Sequence, residues 1–436
     1  MPEFPPAAEA TIAVLPFATI TGDETQAYFA EGIAEDVADR LAGIPGVRVA
    51  PFASTLALSG GAETPADIGR RLAATGVLTG TCERSTTTAR ATVALLDPAT
   101  NTPRWSAQYD RPLTDVFAIQ IEIVRAVCDA CGVEIADVAR TAVERCPTAN
   151  GVAYDTYLQG RRPARELLRQ QQDLARTSFE QAVAADARFA EAHAALAVTC
   201  GLLFQYWDSS RANVAAATAA SQTAVELAPQ LPAAHIARGL ALAHAGEYDA
   251  ATTALQRALA LRPYCFDAYY HLARTYRARG QMEEAAAAFE RACALRSEDF
   301  ATPTLLASVY VSLGRSDDAR NTQQRALALA EEHLGRHPDD TRALYLGAVA
   351  LSSLGDAARA RQWAKRAIAM EPDDSAVLYN VACVYALLGL SDSAIDCLEQ
   401  AVASGFGHWD WLRTDSDLDG LRSHERFATL LRGGGP

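Results

Sequence analysis

Lysine is almost absent from this chain of 436 residues: Lys365 is the one lysine, and arginine supplies the other positive charges. Nucleotide-binding P-loops and Schiff-base enzymes both need a lysine in a particular loop or pocket. Lys365 lies in the segment AKRA of a helical repeat, which suits neither role. The sequence therefore argues against both classes of enzyme.

Long apolar runs, basic runs and an export signal are also absent. The first ten residues, MPEFPPAAEA, have neither a basic nor an apolar region, and no stretch reaches the 18 apolar residues of a membrane span. The formal net charge of −14 disfavours nucleic acid and anionic membranes as partners. We therefore expect a cytoplasmic protein that binds neither nucleic acid nor membrane, with its nine cysteines reduced.

Complete catalytic and metal-binding motifs are missing as well. Cys128 and Cys131 form a CxxC pair near Cys146, but no fourth cysteine or histidine follows before His193, so buried cysteines are the alternative to a zinc site. His333 and His337 are four residues apart, and a solvated helix end is the alternative to metal binding there. Neither a nucleophile elbow nor a dinucleotide-binding or calcium-binding loop is found. We expect no catalytic residue, no metal and no cofactor.

Residues 11–147 alternate strand-like and helix-like patterns. Phe29, Ile33, Val37 and Leu41 recur every four residues and form one apolar helical face, and Pro65 fits the first turn of a further helix. The patterns predict strands at 11–17, 47–50, 77–82, 90–96 and about 105–109, with helices at 26–42, from 65, and at 116–130. We expect an α/β domain with a mixed sheet at 11–147, preceded by a disordered tail at 1–10.

Strand patterns stop near residue 154, and a helical repeat follows. Its glycines are 34 residues apart, except for one interval of 41, and lie at Gly246, Gly280, Gly314, Gly355 and Gly389. An alanine follows each glycine after five residues and another after twelve. Glycine lets two antiparallel helices reverse direction, and alanine lets them approach closely.

The spacing gives the limits of about seven repeat units. They are expected at 154–189, 190–231, 232–265, 266–299, 300–340, 341–374 and 375–408, with a capping helix and tail at 409–436. The seven extra residues in the fifth unit predict a helix two turns longer than the others. In the fourth unit, Ala285 is expected in the helix contact and Ala286 on a more exposed face.

Both regions resemble known families. The repeat resembles the tetratricopeptide repeat, which implies an all-α solenoid, a right-handed superhelix of helix pairs. The segments IAVLPFATITGDETQAYFAEGIAEDVADRL, GVLTGTCERS and WSAQYDRPLTDVFAIQIEIV resemble the TolB N-terminal-like domain of bacterial signalling proteins, and WLRTDSDLDGLRSHERF resembles the tail that closes the repeats in those proteins. The expected fold class is therefore multidomain, an N-terminal α/β domain followed by a tetratricopeptide solenoid.

The concave face of the solenoid is the candidate binding site. Its lining falls on one stripe of the first helix of each unit, where aromatic and arginine side chains suit a peptide groove. Ordinary packing between repeats is the alternative at each position. The candidate protein-binding residues are Ile236, Leu240, His244, Tyr270, Arg274, Arg277, Arg342, Tyr345 and Tyr379.

A local basic stretch near the junction of the two regions is a further candidate. It comprises Arg161, Arg162, Arg165 and Arg169 and could dock an acidic peptide, with a solvated helix face as the alternative.

Three functions stay open from the sequence. The first is a non-enzymatic scaffold or sensor module that binds a protein or peptide in a bacterial signalling pathway. In the resembling proteins an effector domain often precedes the α/β module, whereas here the α/β module comes first. The second is therefore a regulatory subunit of a separately encoded nucleotide cyclase, kinase or transcription factor. The third is an enzyme with an unrecognised site in the α/β domain, and self-association into a homo-oligomer also stays open.

Overall fold

A computed structural model describes residues 10–19, 26–59, 61 and 63–433. Residues 1–9, the greater part of the expected tail, lie outside the described residues. The chain divides into two compact units, each interrupted in sequence. The first comprises Met1–Thr199, Ala219–Arg238 and Thr253–Ala268, and the second comprises Cys200–Thr218, Gly239–Thr252 and Tyr269–Pro436.

The first unit contains a mixed sheet of five strands in the order β2-β1-β3-β4-β5. The strands are β1 (Ala10–Val14), β2 (Val47–Val49), β3 (Gly76–Arg84), β4 (Thr88–Asp97) and β5 (Thr102–Pro112). Strand β1 pairs in parallel with β2 and β3, whereas β3, β4 and β5 pair antiparallel.

Helices cover both faces of this sheet. Because side chains alternate along a strand, Ile12 and Val14 pack with α1 (Ala27–Leu41) and α4 (Val116–Cys131), while Ala13 and Leu15 pack with α2 (Phe52–Ser59) and α3 (Pro65–Arg71). Helix α3 begins with a capping box in which Thr64 and Asp67 bind each other's backbone N–H groups. A short helix, α5 (Asp137–Glu144), follows α4.

The predicted fold class is confirmed: a mixed α/β sheet is followed by helices. All five strands and helices α1, α3 and α4 were expected, but α2 and α5 were not. Each has eight residues, too few to establish a helical period, and α2 carries Ser54 and Thr55, which favour helices weakly.

Fourteen helices lie within residues 151–403, all of which the structure describes. They are α6 (Gly151–Ala164), α7 (Arg169–Ala185), α8 (Ala190–Tyr206), α9 (Arg211–Leu227), α10 (Pro232–His244), α11 (Tyr248–Leu261), α12 (Phe266–Ala278), α13 (Met282–Leu295), α14 (Ala301–Ser312), α15 (Ser316–Arg336), α16 (Thr341–Leu354), α17 (Ala357–Met370), α18 (Ser375–Leu387) and α19 (Ser391–Ala403).

The residues of the repeat pattern have the conformations that the pattern requires. All five glycines have positive φ, from 69° at Gly314 to 90° at Gly355, and the ten alanines are at most 3% exposed. Helix α15 has 21 residues, against 14 in α13, so the longer spacing does lengthen a helix. The expectation for Ala286 is wrong, because it is 2% exposed in a helix that also packs against α14.

The C-terminal segment packs on the last helix pair. It forms α20 (Trp409–Thr414), a 3-10 turn (Ser416–Leu421) and α21 (Glu425–Gly433), and Leu412, Leu418, Leu421 and Phe427 are buried in the core that includes Leu378 and Leu398. No helix within residues 10–19, 26–59 and 63–433 has the length and apolar character needed to cross a membrane.

Candidate functional site

The candidate residues of the concave face differ widely in exposure. Four are buried, namely Ile236, Leu240, Tyr345 and Tyr379, at 9% exposure or less. Four are half-buried, namely His244, Tyr270, Arg274 and Arg342. Arg277 alone is exposed. Ile236 belongs to the first compact unit and the others to the second. Their role in protein binding stays a prediction.

The structure brings several of them around Tyr206, at the end of α8. Arg274 Nη1 lies 3.4 Å from the Tyr206 hydroxyl and 3.3 Å from the Tyr270 hydroxyl. The Arg274 guanidinium also lies 5.7 Å from the centre of the Tyr270 ring, a cation–π distance. Arg342 lies close enough to Tyr206 to lower its pKa, and it also opposes the burial that raises the pKa of Tyr345. We call Tyr206, Tyr270, Arg274, Arg342 and Tyr345 the arginine–tyrosine cluster.

The end of α8 is fixed by contacts with residues far along the chain. Trp207 Nε1 donates a hydrogen bond to Asp374 Oδ2 at 2.6 Å, and Ser375 Oγ donates to the Tyr206 carbonyl at 3.1 Å. His408 Nε2 lies 2.8 Å from the Phe204 carbonyl. The same segment of the chain contacts the helix stripe that the sequence assigns to a partner, through Tyr206 with Arg274 and through Phe204 with His244. The sequence analysis missed the contacts with Asp374, Ser375 and His408, because they join residues at least 167 positions apart.

Tyr379 contacts both the loop that follows α19 and the C-terminal segment. Its ring stacks on Phe406, with centroids 4.5 Å apart and planes 13° from parallel, and its hydroxyl donates a hydrogen bond to Asp415 Oδ2. Tyr379 is thus part of the contact between α18 and the C-terminal segment.

Beside Tyr379 lies a group with the geometry of metal ligands. Ligand atoms of Cys383, Asp415 and Asp417 lie within 4.8 Å of one another. Burial and the nearby Asp415 raise the pKa of Asp417 to about 7. Within the described part of the chain, no other group of three histidine, cysteine or acidic residues has this geometry. The sequence places the two aspartates together, but Cys383 comes 32 residues before Asp415.

The cysteine and histidine pairs considered from the sequence are not part of such a group. Burial raises the pKa of Cys128 to about 12 and also raises that of Cys131, which disfavours the thiolate that binds zinc. Helix α15 ends at Arg336, and His333 Nε2 lies 2.7 Å from Asp340 Oδ2.

The basic stretch is paired within the first unit. Arg161 Nη2 lies 2.9 Å from Glu35 Oε1, and Arg161 also pairs with Asp36. Arg165 Nη1 lies 2.6 Å from Glu31 Oε2. Both interpretations of the stretch, an acidic-peptide dock and a solvated face, are therefore wrong for Arg161 and Arg165, because acids of α1 already neutralise them. Arg162 and Arg169 are exposed.

Comparison with known families identifies the repeat. Family models described as tetratricopeptide repeat match residues 236–300, 299–373 and 375–404. Tetratricopeptide repeats are therefore present in this part of the chain.

A protein of Rhizobium meliloti (strain 1021), named "Putative adenylate cyclase 3", is 29% identical over 243 residues. The match covers 55% of this chain and 41% of the relative, so the chain spans about two fifths of the length of the protein that it matches.

The solved structures similar to this chain include helical-repeat proteins. TTC0263, a tetratricopeptide-repeat protein of Thermus thermophilus, is 23% identical, with 46% of this chain and 99% of that chain covered and a TM-score of 0.35. YrrB, described as a tetratricopeptide-repeat protein with an unusual peptide-binding site, is 21% identical, with 42% and 91% covered and a TM-score of 0.28. The human IFIT1 dimer with m7Gppp-AAAA is 14% identical, with 66% and 64% covered and a TM-score of 0.46.

Proposed function

We propose that this chain is a non-enzymatic interaction module that binds a protein or peptide in a bacterial signalling pathway, within the cytoplasm. The observation that carries the proposal is the row of tetratricopeptide helix pairs, because proteins of this repeat generally bind other proteins. The resemblance of residues 11–147 to the TolB N-terminal-like domain of signalling proteins supports the signalling context.

We place the partner contact at an exposed edge formed by Arg277, Ser308 and Val311. Arg277 Nη1 lies 3.5 Å from Ser308 Oγ of the neighbouring helix α14, and Val311 of the same helix is 58% exposed. An arginine fork beside an exposed aliphatic side chain offers both charge-assisted hydrogen bonds and apolar area to a partner. Arg277 is favoured over Ile236, Leu240, Tyr345 and Tyr379 because those four side chains are buried.

The test compares two charge reversals in the full chain. Arg277→Glu changes the proposed edge, and Arg320→Glu makes the same change at an exposed position of α15. We expect a protein captured from the native organism to bind the wild-type chain and the Arg320→Glu variant but not the Arg277→Glu variant. Equal binding by both variants would move the contact away from this edge, and the absence of any specific partner would contradict the proposal. Circular dichroism verifies that helical content is unchanged.

A second candidate function is regulation of a separately encoded nucleotide cyclase. It is favoured by the 243-residue similarity to a protein named as an adenylate cyclase. We expect the purified chain to change cyclic-nucleotide formation by a cyclase of the native organism at least about twofold, measured under saturating substrate. An unchanged rate at saturating amounts of the chain argues against this candidate.

A further inference from the structure

The arginine–tyrosine cluster contains two positive charges that no acidic side chain neutralises by direct contact. Among the residues that the structure describes, no carboxylate lies within ion-pair distance of Arg274 or Arg342. Arg274 contacts two tyrosine hydroxyls, at 3.3 and 3.4 Å, and Arg342 makes no hydrogen bond to a described residue. Both side chains are half-buried. Half-buried guanidinium groups are usually paired, because removing a charge from water is costly.

The surrounding groups respond to a positive potential. Burial alone would raise the pKa of Tyr206, yet Arg274 and Arg342 lower it. Burial and the charge of Arg274 lower the pKa of His244 and of His271 to about 3 each. The histidines near Arg274 therefore stay uncharged at neutral pH and add no further positive charge.

Two polar side chains next to the cluster also lack partners. Gln205 precedes Tyr206, is 1% exposed, and forms no hydrogen bond through either amide atom within the described part of the chain. His244 Nε2 also forms no hydrogen bond within the described part of the chain, and its ring lies 5.1 Å from that of Phe204 on α8. A buried polar group without a partner costs about 1–3 kcal/mol, so a polar ligand here would regain stability.

We propose that the arginine–tyrosine cluster binds one oxyanion, the carboxylate or phosphate group of a small molecule. Guanidinium forks and phenol hydroxyls are donors that match the oxygens of such a group, and charge-assisted bonds to it are stronger than neutral ones. Because both arginines are half-buried, a small anion can reach them, whereas a folded protein partner cannot. This ligand is additional to the protein partner of the exposed edge.

The experiment measures binding of inorganic phosphate and of acetate to the full chain by calorimetry, at constant ionic strength. We expect saturable binding near one equivalent for at least one of the two anions. Saturation by phosphate alone assigns a phosphate-bearing ligand, and saturation by acetate alone assigns a carboxylate. The Arg342→Met variant should weaken binding at least about tenfold, whereas Arg320→Met should bind as the wild type does. No saturable binding of either anion, or equal binding by the Arg342→Met variant, overturns the proposal.

Two further readouts separate a binding role from a structural one. Because Arg342 has no partner to leave unpaired, Arg342→Met should raise the thermal midpoint while losing the anion, and a lower midpoint with unchanged binding contradicts the proposal. The bound anion should also raise the pKa of Tyr206, followed at 295 nm as the difference between the wild type and Tyr206→Phe. The Arg342→Met variant should retain a partner captured through Arg277, so the two proposals can fail separately.

Discussion

At the scale of single residues, the raised pKa of Asp417 makes the stability of the fold depend on pH. Its pKa is raised to about 7 by burial and by Asp415, against an ordinary value of 3.8. The folded state therefore binds the proton more tightly than the unfolded state does. The stabilisation that protonated Asp417 gives the folded state is complete below about pH 4 and is lost as the pH rises through 7.

We predict that Asp417→Asn removes this pH dependence. Between pH 4 and 7, the free energy of unfolding of the wild type should fall relative to that of the variant by at most about 4 kcal/mol. This limit follows because each unit of pKa shift corresponds to about 1.4 kcal/mol. Asp419 is exposed in the same turn, so Asp419→Asn is the matched control and should keep the wild-type slope. Parallel urea-unfolding curves for the wild type and Asp417→Asn across this range would contradict the prediction.

Two helical glycines should respond in opposite ways to one methyl group. A Cβ at Gly347 would collide with the Trp363 indole, whereas one at Gly335 would meet open space. We predict that Gly347→Ala destabilises the chain by about 1–3 kcal/mol through overpacking, and that Gly335→Ala stabilises it by about 0.5–1 kcal/mol through helix propensity. If the unfolding midpoints of the two variants, in heat and in urea, shift in the same direction, Gly347 does not pack closely against Trp363.

The sequence predicted residues whose role is local better than residues whose role depends on distant contacts. Gly280 and Gly314 could be assigned because a helix reversal needs positive φ within a few residues. Tyr206 could not, because its carbonyl meets Ser375, 169 positions away. The buried state of Tyr379 likewise depends on Phe406, which follows α19, and on Asp415 of the C-terminal segment.

At the scale of elements, the close packing of the repeat helices depends on their buried alanines. Helix α15 has Ala326 at 1% exposure and Ala328 on its exposed side, so it offers a matched pair within one helix. Ala286 does not serve as a control for Ala285 in α13, because both are buried.

We predict that Ala326→Leu destabilises the chain by about 1–3 kcal/mol, because the larger side chain forces two packed helices apart. Ala328→Leu should change the free energy of unfolding by less than about 0.5 kcal/mol. Urea unfolding followed by circular dichroism provides the comparison, and equal midpoints would mean that the assigned register is incorrect.

Helices α2 and α5 mark the limit of prediction at this scale. Helix α2 packs on strand β1, and α5 contacts α1 and α4. Both owe their stability to tertiary packing more than to propensity, which a short window of sequence does not contain.

At the scale of the whole molecule, the first helix of the helical region belongs to the core of the α/β sheet. Ala153, Tyr154 and Leu158 of α6 are buried in the same cluster as Ile12 and Phe117. Tyr154 also donates a hydrogen bond to Asp36 at 2.5 Å. A fragment starting at residue 150 would expose these side chains, so binding experiments require the full chain.

The ion pairs of Arg161 should be essential to this shared core. We predict that Arg161→Ala destabilises the first unit by about 3–5 kcal/mol, because buried Asp36 loses the arginine that pairs with it and Glu35 keeps only its pair with Arg165. Hydrogen exchange should accelerate in both β1 and α6, while the exposed Arg169→Ala leaves both unchanged. Acceleration confined to α6 would mean that the sheet and the helix unfold independently.

The contact of residues 204–207 with Asp374, Ser375 and His408 bears on how this repeat array can evolve. In an open array each repeat touches only its neighbours, so units can be gained or lost with little consequence elsewhere. Here two segments separated by about 170 positions must meet, and adding or deleting one helix pair between them would misalign both. Selection should therefore preserve the number of repeats between the two segments. Related sequences should differ in loop length before they differ in the number of repeats.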